Sequence, residues 1–188
     1  MSPLISVPVS TVVALTAERA VELMTGILKA ESAYAKLNPA VVTISSRLTV
    51  ADGGIDAEVE VSPDAHIPAD CFFSAGLTGI QLKSGSSFKP WTESSIRGEL
   101  INGAGKLFPE VARLTEKRGR YVVVCTGHDL TPQQRNDACE HIVSVLESAG
   151  VADYGGLVDV LGASQISNFA ERYPGIAALL TFDTIQEA

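Results

Sequence analysis

The sequence predicts a single α/β domain in which a mixed central sheet is flanked by helices. Its 188 residues are 46% apolar and 19% charged, a composition typical of one soluble globular domain that buries most of its apolar surface. Segments with the helical spacing of apolar residues interleave with short segments that alternate or run continuously apolar, as strands do. No internal repeat or low-complexity linker divides the chain. We therefore expect one domain over residues 1–188, with its core at about 16–161.

The first predicted element is an amphipathic helix. Thr16 is suited to cap its N-terminus, and Asn38-Pro39 should end it near residue 37, because proline disfavours helical geometry in the residue before it. Spacing at 100° intervals gathers the apolar residues on one side of this helix. Glu31 falls in the middle of that apolar side, whereas Glu22 projects from the polar face.

Three strands are predicted next. The middle one alternates strictly, so that Asp56, Glu58 and Glu60 share one face. A segment rich in β-branched residues and a glycine-containing turn precede it and complete a hairpin. An excursion with two prolines then leads to the third strand. The predicted bounds are 41–48 for the first strand, 51–54 for the turn, 55–61 for the second strand, 62–76 for the excursion and 77–84 for the third strand.

The second half alternates helices and strands. A helical region should be interrupted near Gly103, Gly105 and Pro109, and a continuous apolar run predicts a strand covered on both faces. Thr131-Pro132 opens a further helix, which Gly150 ends. A helix-strand-strand-strand-helix-strand core is thus followed by helix, strand and helix. The bounds are about 91–116, 121–125, 131–149, 157–161 and 164–173, with no form predicted for 174–188.

Charge and cysteine usage limit the classes of function. The net charge of -8 disfavours a nucleic-acid partner, because phosphate contacts normally demand a surplus of Lys and Arg. However, eight of the 14 basic residues fall within 83–120, either as a stripe that grips phosphates or as an ordinary solvated helix face. They are Lys83, Lys89, Arg97, Lys106, Arg113, Lys117, Arg118 and Arg120.

Three cysteines, Cys71, Cys125 and Cys139, form no CxxC pair and are odd in number, which favours neither a disulfide framework nor a structural zinc site. The sequence therefore predicts a reducing, cytoplasmic setting. The apolar residues 3–15 have no basic residue before Arg19 and are broken by prolines, which argues against a secretory signal. No run approaches the roughly 20 apolar residues of a membrane helix, so we expect no membrane partner.

The most specific feature is the set of polar residues on the second and third strands. If these strands pair, the Asp56 carboxylate, the Gln81 amide and the Lys83 ammonium gather on one face, while Leu82 points into the core. Oxygen ligands suit a hard cation such as Mg²⁺. We expect ligands from Asp56, the Gln81 side-chain oxygen and the Leu82 carbonyl, with Lys83 orienting water or stabilising developing negative charge.

A second acid would strengthen this site. Glu31 is the first candidate, because a buried carboxylate without a partner is costly, and Glu58 is the reserve on the Asp56 face. Plainer alternatives remain open. Asp56 could simply follow a Gly-Gly turn, Lys83 could be an exposed strand residue, and Glu31 could form a structural ion pair with an arginine such as Arg47.

The segments Gly53-Gly54-Ile55-Asp56 and Ile80-Gln81-Leu82-Lys83-Ser84-Gly85 resemble the restriction-endonuclease-like PD-(D/E)XK superfamily. The similarity is to its QxK branch, found in Mrr-like enzymes and in N-terminal nuclease effector domains of prokaryotic antiviral proteins, and it covers about 16–126. The resemblance implies that Asp56, Gln81, Lys83 and a helix acid, Glu31 first and Glu22 second, hold one or two Mg²⁺ ions. Mn²⁺ would substitute for Mg²⁺.

The function that this resemblance implies is metal-dependent cleavage of double-stranded DNA. The chain would be the nuclease effector of an anti-phage defence protein, the N-terminal part of a longer chain, and activated by homo-oligomerisation or by a partner. The acidic balance and the 15-residue excursion between the two active strands depart from the family pattern. The alternatives are a catalytically inactive nuclease-like module for protein contact or oligomerisation, and RNA as the substrate.

Overall fold

Five strands form the centre of the molecule. The structure is a computed structural model that describes residues 5–44 and 54–186, and within them the strands make one sheet in the order β1-β2-β3-β4-β5. β1 pairs antiparallel with β2, and β2 with β3, whereas β3, β4 and β5 run parallel. The strands are Val42–Ile44 (β1), Ala57–Val61 (β2), Gly76–Lys83 (β3), Arg120–Cys125 (β4) and Val158–Leu161 (β5).

Helices cover both faces of this sheet. In the described ranges they are Val9–Val13 (α1), Ala17–Tyr34 (α2), Glu93–Leu100 (α3), Pro109–Glu116 (α4), Pro132–Ser148 (α5), Ala163–Glu171 (α6) and Pro174–Gln186 (α7). Short 3₁₀ turns lie at Pro39–Val41 and Gly155–Leu157. The prediction of an α/β domain with a mixed sheet flanked by helices is confirmed. No helix among the described residues is long and apolar enough to cross a membrane.

The alternation of side chains along the strands builds two apolar clusters. On one face, Ile80, Val122 and Val124 pack with α2, α6 and α7, which we call the α2 side. On the other face, Tyr121 and Val123 pack with α3, α4 and α5, which we call the α3 side. Successive side chains of β3 and β4 therefore point alternately to the α2 side and the α3 side. Even-numbered residues such as Ile80 contact the helices of the α2 side, and odd-numbered residues such as Tyr121 contact those of the α3 side.

Local capping explains most helix boundaries. Thr16 caps α2 as predicted, because its Oγ1 accepts a hydrogen bond from Arg19 N at 3.3 Å. Thr131 and Gln134 form a reciprocal capping box on α5. α2 ends at Tyr34 rather than near residue 37, because Lys36 adopts a φ of 58° and Leu37 N bonds back to Ser32 O at 2.8 Å.

Several predicted elements need adjustment. The helical region expected over 91–116 is two helices, α3 and α4, joined by a segment in which Ile101 bridges Leu107, so the predicted interruption is confirmed. α1 and α7 are helices that the sequence patterns did not predict. The turn at 51–54 and the end of the first predicted strand fall largely on residues 45–53, which lie outside the described residues, as does Arg47.

Candidate functional site

Asp56 immediately precedes β2 and lies directly beside β3. Its N–H donates to Ile80 O at 2.8 Å, and its Oδ2 accepts a hydrogen bond from Leu82 N at 2.7 Å. The β2–β3 pairing ends where Ala57 faces Ile80. Just beyond that end, the Asp56 carboxylate accepts from Leu82 N in place of a backbone carbonyl of β2. Asp56 lies toward the α3 side, because its carboxylate raises the pKa of Tyr121 in that layer, and Glu58, two positions later, pairs with Arg113 of α4.

Gln81 and Lys83 project together toward α3, as predicted, while Leu82 packs on the α2 side. Gln81 Nε2 donates to Glu99 Oε2 at 2.7 Å, and Lys83 Nζ lies 2.7 Å from the same oxygen. Glu99 is in the last turn of α3. The side chains of Lys83 and Glu99 are 27% and 28% exposed, so solvent reaches this pair. Lys83 Nζ also lies 5.6 Å from the centre of the Phe88 ring.

A buried tyrosine forms the floor of this cluster. Tyr121 Oη donates to Gln81 Oε1, and the Gln81 side chain is almost fully buried. Burial raises the pKa of Tyr121 well above its usual value, and the nearby Glu99 and Asp56 carboxylates raise this pKa further. The phenol therefore keeps its proton. In the same layer, burial raises the pKa of Cys125 to about 12, although the positive charge of Lys83 opposes that shift.

An open cleft adjoins the Asp56 end of the cluster. It has a volume of about 340 Å³ and lies between the start of β2, β1 and α4. Its polar lining includes two acids besides Asp56, namely Glu58 and Glu110. Asp56 itself lines this cleft, so a ligand that occupied the cleft would lie beside this residue.

The structure does not bring Glu31 to this site, which corrects the first prediction for the helix acid. Glu31 is fully buried on the α2 side, whereas Gln81 and Lys83 project to the α3 side. Its Oε2 accepts from Phe72 N at 2.8 Å, and its Oε1 accepts from Tyr173 Oη at 2.5 Å. Arg172 Nη1 lies 3.2 Å from Oε1. Glu31 therefore forms a structural ion pair, with Arg172 as the cation.

The other two candidate acids also have protein partners. Glu22 lies on the surface of α2, 2.6 Å from Arg19 Nη1, and does not reach the β2–β3 cluster. Glu58 shares the Asp56 face, as predicted, but its carboxylate pairs with Arg113 of α4. Glu99, which the sequence patterns did not single out, is the acid that meets Gln81 and Lys83. Its spacing gave a signal, since it follows the buried Ile96 by three positions and so flanks the covered face of α3.

The predicted basic stripe is largely neutralised. Arg113 pairs with Glu58 and Glu110, and Lys117 lies 3.2 Å from Glu60. In the portion of the chain that the structure describes, six of the eight basic residues contact an acid or a backbone carbonyl. These six are Lys83, Arg97, Arg113, Lys117, Arg118 and Arg120. A surface arranged in this way has little free positive charge for phosphates.

The oxygen atoms of the cluster suit a hard divalent cation. Asp56 and Glu99 supply carboxylates and Leu82 a backbone carbonyl, whereas the Gln81 amide oxygen already accepts from Tyr121 Oη. Mg²⁺ is commonly held by one or two carboxylates, with water and substrate oxygens completing its shell. No group of three or more His, Cys, Asp or Glu side chains that could hold a metal occurs among the described residues. A cation held by the Asp56 and Glu99 carboxylates and the Leu82 carbonyl would share its shell with water or substrate oxygens.

No protein-family model, curated protein or solved structure was found to match this chain. The resemblance to PD-(D/E)XK nucleases therefore stays a prediction, which rests on the motif residues Asp56, Gln81 and Lys83.

Proposed function

We propose that this chain is a metal-dependent endonuclease domain that hydrolyses DNA phosphodiester bonds. The observation that carries the proposal is the convergence of Asp56, Gln81 and Lys83 from adjacent strands, with Glu99 of α3 as the second acid. This set combines oxygen ligands for a hard cation with one ammonium group, beside an open cleft. Its parts are the ones that phosphodiester hydrolysis requires.

Each residue has a distinct role in the proposed reaction. Asp56 and Glu99 would hold Mg²⁺ or Mn²⁺, with the Leu82 carbonyl oxygen as a further ligand, while the Gln81 oxygen accepts from Tyr121 Oη. The bound cation supplies Lewis-acid activation of water and of the phosphate. Leu82 N–H orients Asp56 by holding one of its oxygens. Lys83 places positive charge where negative charge develops on the phosphate, and Glu99 keeps that ammonium in position.

The electrostatics support a domain that does not grip DNA alone. The net charge is -8, and most basic residues of the 83–120 segment are paired within the molecule. We therefore propose that self-association, a partner subunit or further domains supply the positive surface and the activating signal. By the same family resemblance, we propose that the chain is the nuclease effector of an anti-phage defence system.

The second candidate is a nuclease-like module without catalysis, which serves protein contact or oligomerisation. One observation favours it: Lys83 and the Gln81 amide already have good protein partners, as a structural polar network would. The acidic surface also suits contact with a basic partner protein.

Cleavage of supercoiled plasmid separates the two candidates. The wild type is incubated with Mg²⁺ or Mn²⁺, with and without EDTA, beside Asp56→Ala, Lys83→Ala and Glu99→Gln. Glu22→Gln is the matched control, because Glu22 is an ion-paired surface acid away from the cluster. We expect metal-dependent cutting by the wild type and the control, with losses of at least about 100-fold in the other three.

Equal inactivity of all five proteins, in the oligomeric state as well as the monomeric one, would support the module instead. Cutting that survives in Glu99→Gln but not in Asp56→Ala would remove Glu99 from the proposed set. The same assay with single-stranded and duplex RNA decides between the two nucleic-acid substrates.

A further inference from the structure

Hydrogen-bond partners, rather than packing, determine the orientation of the Gln81 side-chain amide. Exchanging the oxygen and nitrogen of a glutamine side chain changes its outline very little, so its partners decide the arrangement. On one side of Gln81 lies the Tyr121 hydroxyl, and on the other lies Glu99 Oε2 at 2.7 Å. A carboxylate can only accept, so the NH₂ group must face Glu99 and the amide oxygen must face Tyr121.

The Tyr121 hydroxyl is suited to enforce this arrangement. Tyr121 is fully buried on the α3 side, so its hydroxyl needs a hydrogen-bond partner within the protein. A protonated phenol has one O–H to donate, and Gln81 Oε1 accepts it. If the amide turned over, the hydroxyl would lose its acceptor and two oxygens would meet at Glu99, each a costly change in a buried site.

We propose that Tyr121 is a positioning residue of the candidate site, which acts through Gln81 to orient the Glu99 carboxylate toward a divalent cation. This inference rests on the proposed function. Gln81 and Lys83 both hold Glu99 Oε2. Among the described residues, Glu99 Oε1 makes no hydrogen bond or ion pair, so this oxygen is the one offered to the cation. Gln81 is then chiefly an orienting group for Glu99, and Tyr121 sets the direction of its amide.

The test compares two buried tyrosines. Tyr121→Phe removes the hydroxyl but keeps the ring, whereas Tyr154→Phe removes a hydroxyl that donates to Gly119 O in the same apolar layer, away from Gln81. Both variants lose one buried hydrogen bond, so we expect similar decreases in melting temperature. Mn²⁺ affinity is measured by calorimetry without DNA, and kcat and KM are measured on plasmid with the cation in excess.

We expect Tyr121→Phe alone to bind Mn²⁺ about 10-fold more weakly and to lose about 10-fold in kcat with little change in KM for DNA, since one orienting hydrogen bond to a charged network is lost. Equal values for Tyr121→Phe and Tyr154→Phe would overturn the positioning role while leaving the nuclease proposal intact. A wild type that neither binds Mn²⁺ nor cuts DNA would remove the proposed function, and the positioning role with it.

If Tyr121→Phe does not fold, a measurement on the wild type tests whether the Gln81 NH₂ group faces Glu99. The side-chain NH₂ signals of Gln81, assigned by their loss in Gln81→Leu, should show nuclear Overhauser contacts to the Glu99 methylene protons. Absence of these contacts would mean that the amide does not face Glu99, which overturns the inference.

Discussion

Replacing Glu31 by glutamine should destabilise the protein strongly without affecting the site on β2 and β3. The Glu31 carboxylate is 0% exposed, and its donors include Phe72 N at 2.8 Å, Tyr173 Oη at 2.5 Å, Arg172 Nη1 at 3.2 Å and the Cys71 thiol. Glutamine has nearly the same volume but only one accepting oxygen. At least one of the donors must therefore face an NH₂ group in Glu31→Gln.

The expected loss in the free energy of unfolding depends on how well Arg172 and the other donors are satisfied after the carboxylate is removed. Removing one partner of a buried charge pair costs about 3 to 5 kcal/mol, because the other charge stays uncompensated. Arg172 keeps part of its compensation, since it also lies 3.0 Å from Asp70 Oδ2 and its side chain is 29% exposed. Tyr173 can turn its hydroxyl to accept from the new NH₂ group. We therefore expect a loss of about 3 kcal/mol in the free energy of unfolding.

Urea denaturation followed by circular dichroism measures this loss. Glu22→Gln is the matched control, because it makes the same change on the same helix at an exposed pair, where the expected loss is under about 0.5 kcal/mol. The reasoning is refuted if Glu31→Gln unfolds at the same urea concentration as Glu22→Gln. It is refuted equally if Glu31→Gln keeps its stability but loses metal-dependent cleavage, since Glu31 would then belong to the site after all.

Three further predictions test the α3 side of the molecule. Gln81→Glu replaces an amide nitrogen 2.7 Å from Glu99 Oε2 by a carboxylate oxygen, so a hydrogen bond becomes a contact between like charges. Urea denaturation should show Gln81→Glu about 2 kcal/mol less stable than the wild type at pH 7, whereas equal stability would show that the Gln81 amide does not contact Glu99. Burial raises the pKa of Cys125 to about 12, so the native thiol keeps a proton that the unfolded chain releases above its ordinary value of 9.0. Cys125 should therefore contribute a fall of up to about 1.4 kcal/mol per pH unit to wild-type stability between pH 9 and about 12, so Cys125→Ala should show a shallower fall; equal slopes would contradict this. Gly127→Ala would place Cβ 2.0 Å from Gly85 O, against nothing within 4 Å at Gly156, so Gly127→Ala should lose about 3 kcal/mol in urea while Gly156→Ala stays near the wild type. Equal stability of the two alanine variants would show that the approach of the Gly127 and Gly85 loops is not tight.

The strand core could be predicted because its signals are local. The alternation of residues 55–61 and the apolar runs of the next two strands match β2, β3 and β4 within two residues at each end. The same parity argument places Gln81 and Lys83 on one face and Leu82 on the other, as the structure has them. Because side chains alternate along a strand, the sequence alone shows which of them share a face. The antiparallel pairing of β2 with β3 then places Asp56 beside Leu82, between Gln81 and Lys83.

The proposed second acid, Glu99, could not be predicted by the same means, and the reason is physical. An amphipathic pattern shows that one side of a helix is buried, but it does not show which face of the sheet the helix covers. A buried acid needs a partner in either layer, so its burial alone does not select a metal site. Glu31 accepts a hydrogen bond from Tyr173, which is 142 positions later in the chain. Glu99 contacts Lys83 and Gln81, and the sequence pattern already placed these two residues on one face of β3. A better criterion is therefore to ask which helix acid can reach the motif lysine, because the ammonium identifies the face of the sheet as well as the chemistry.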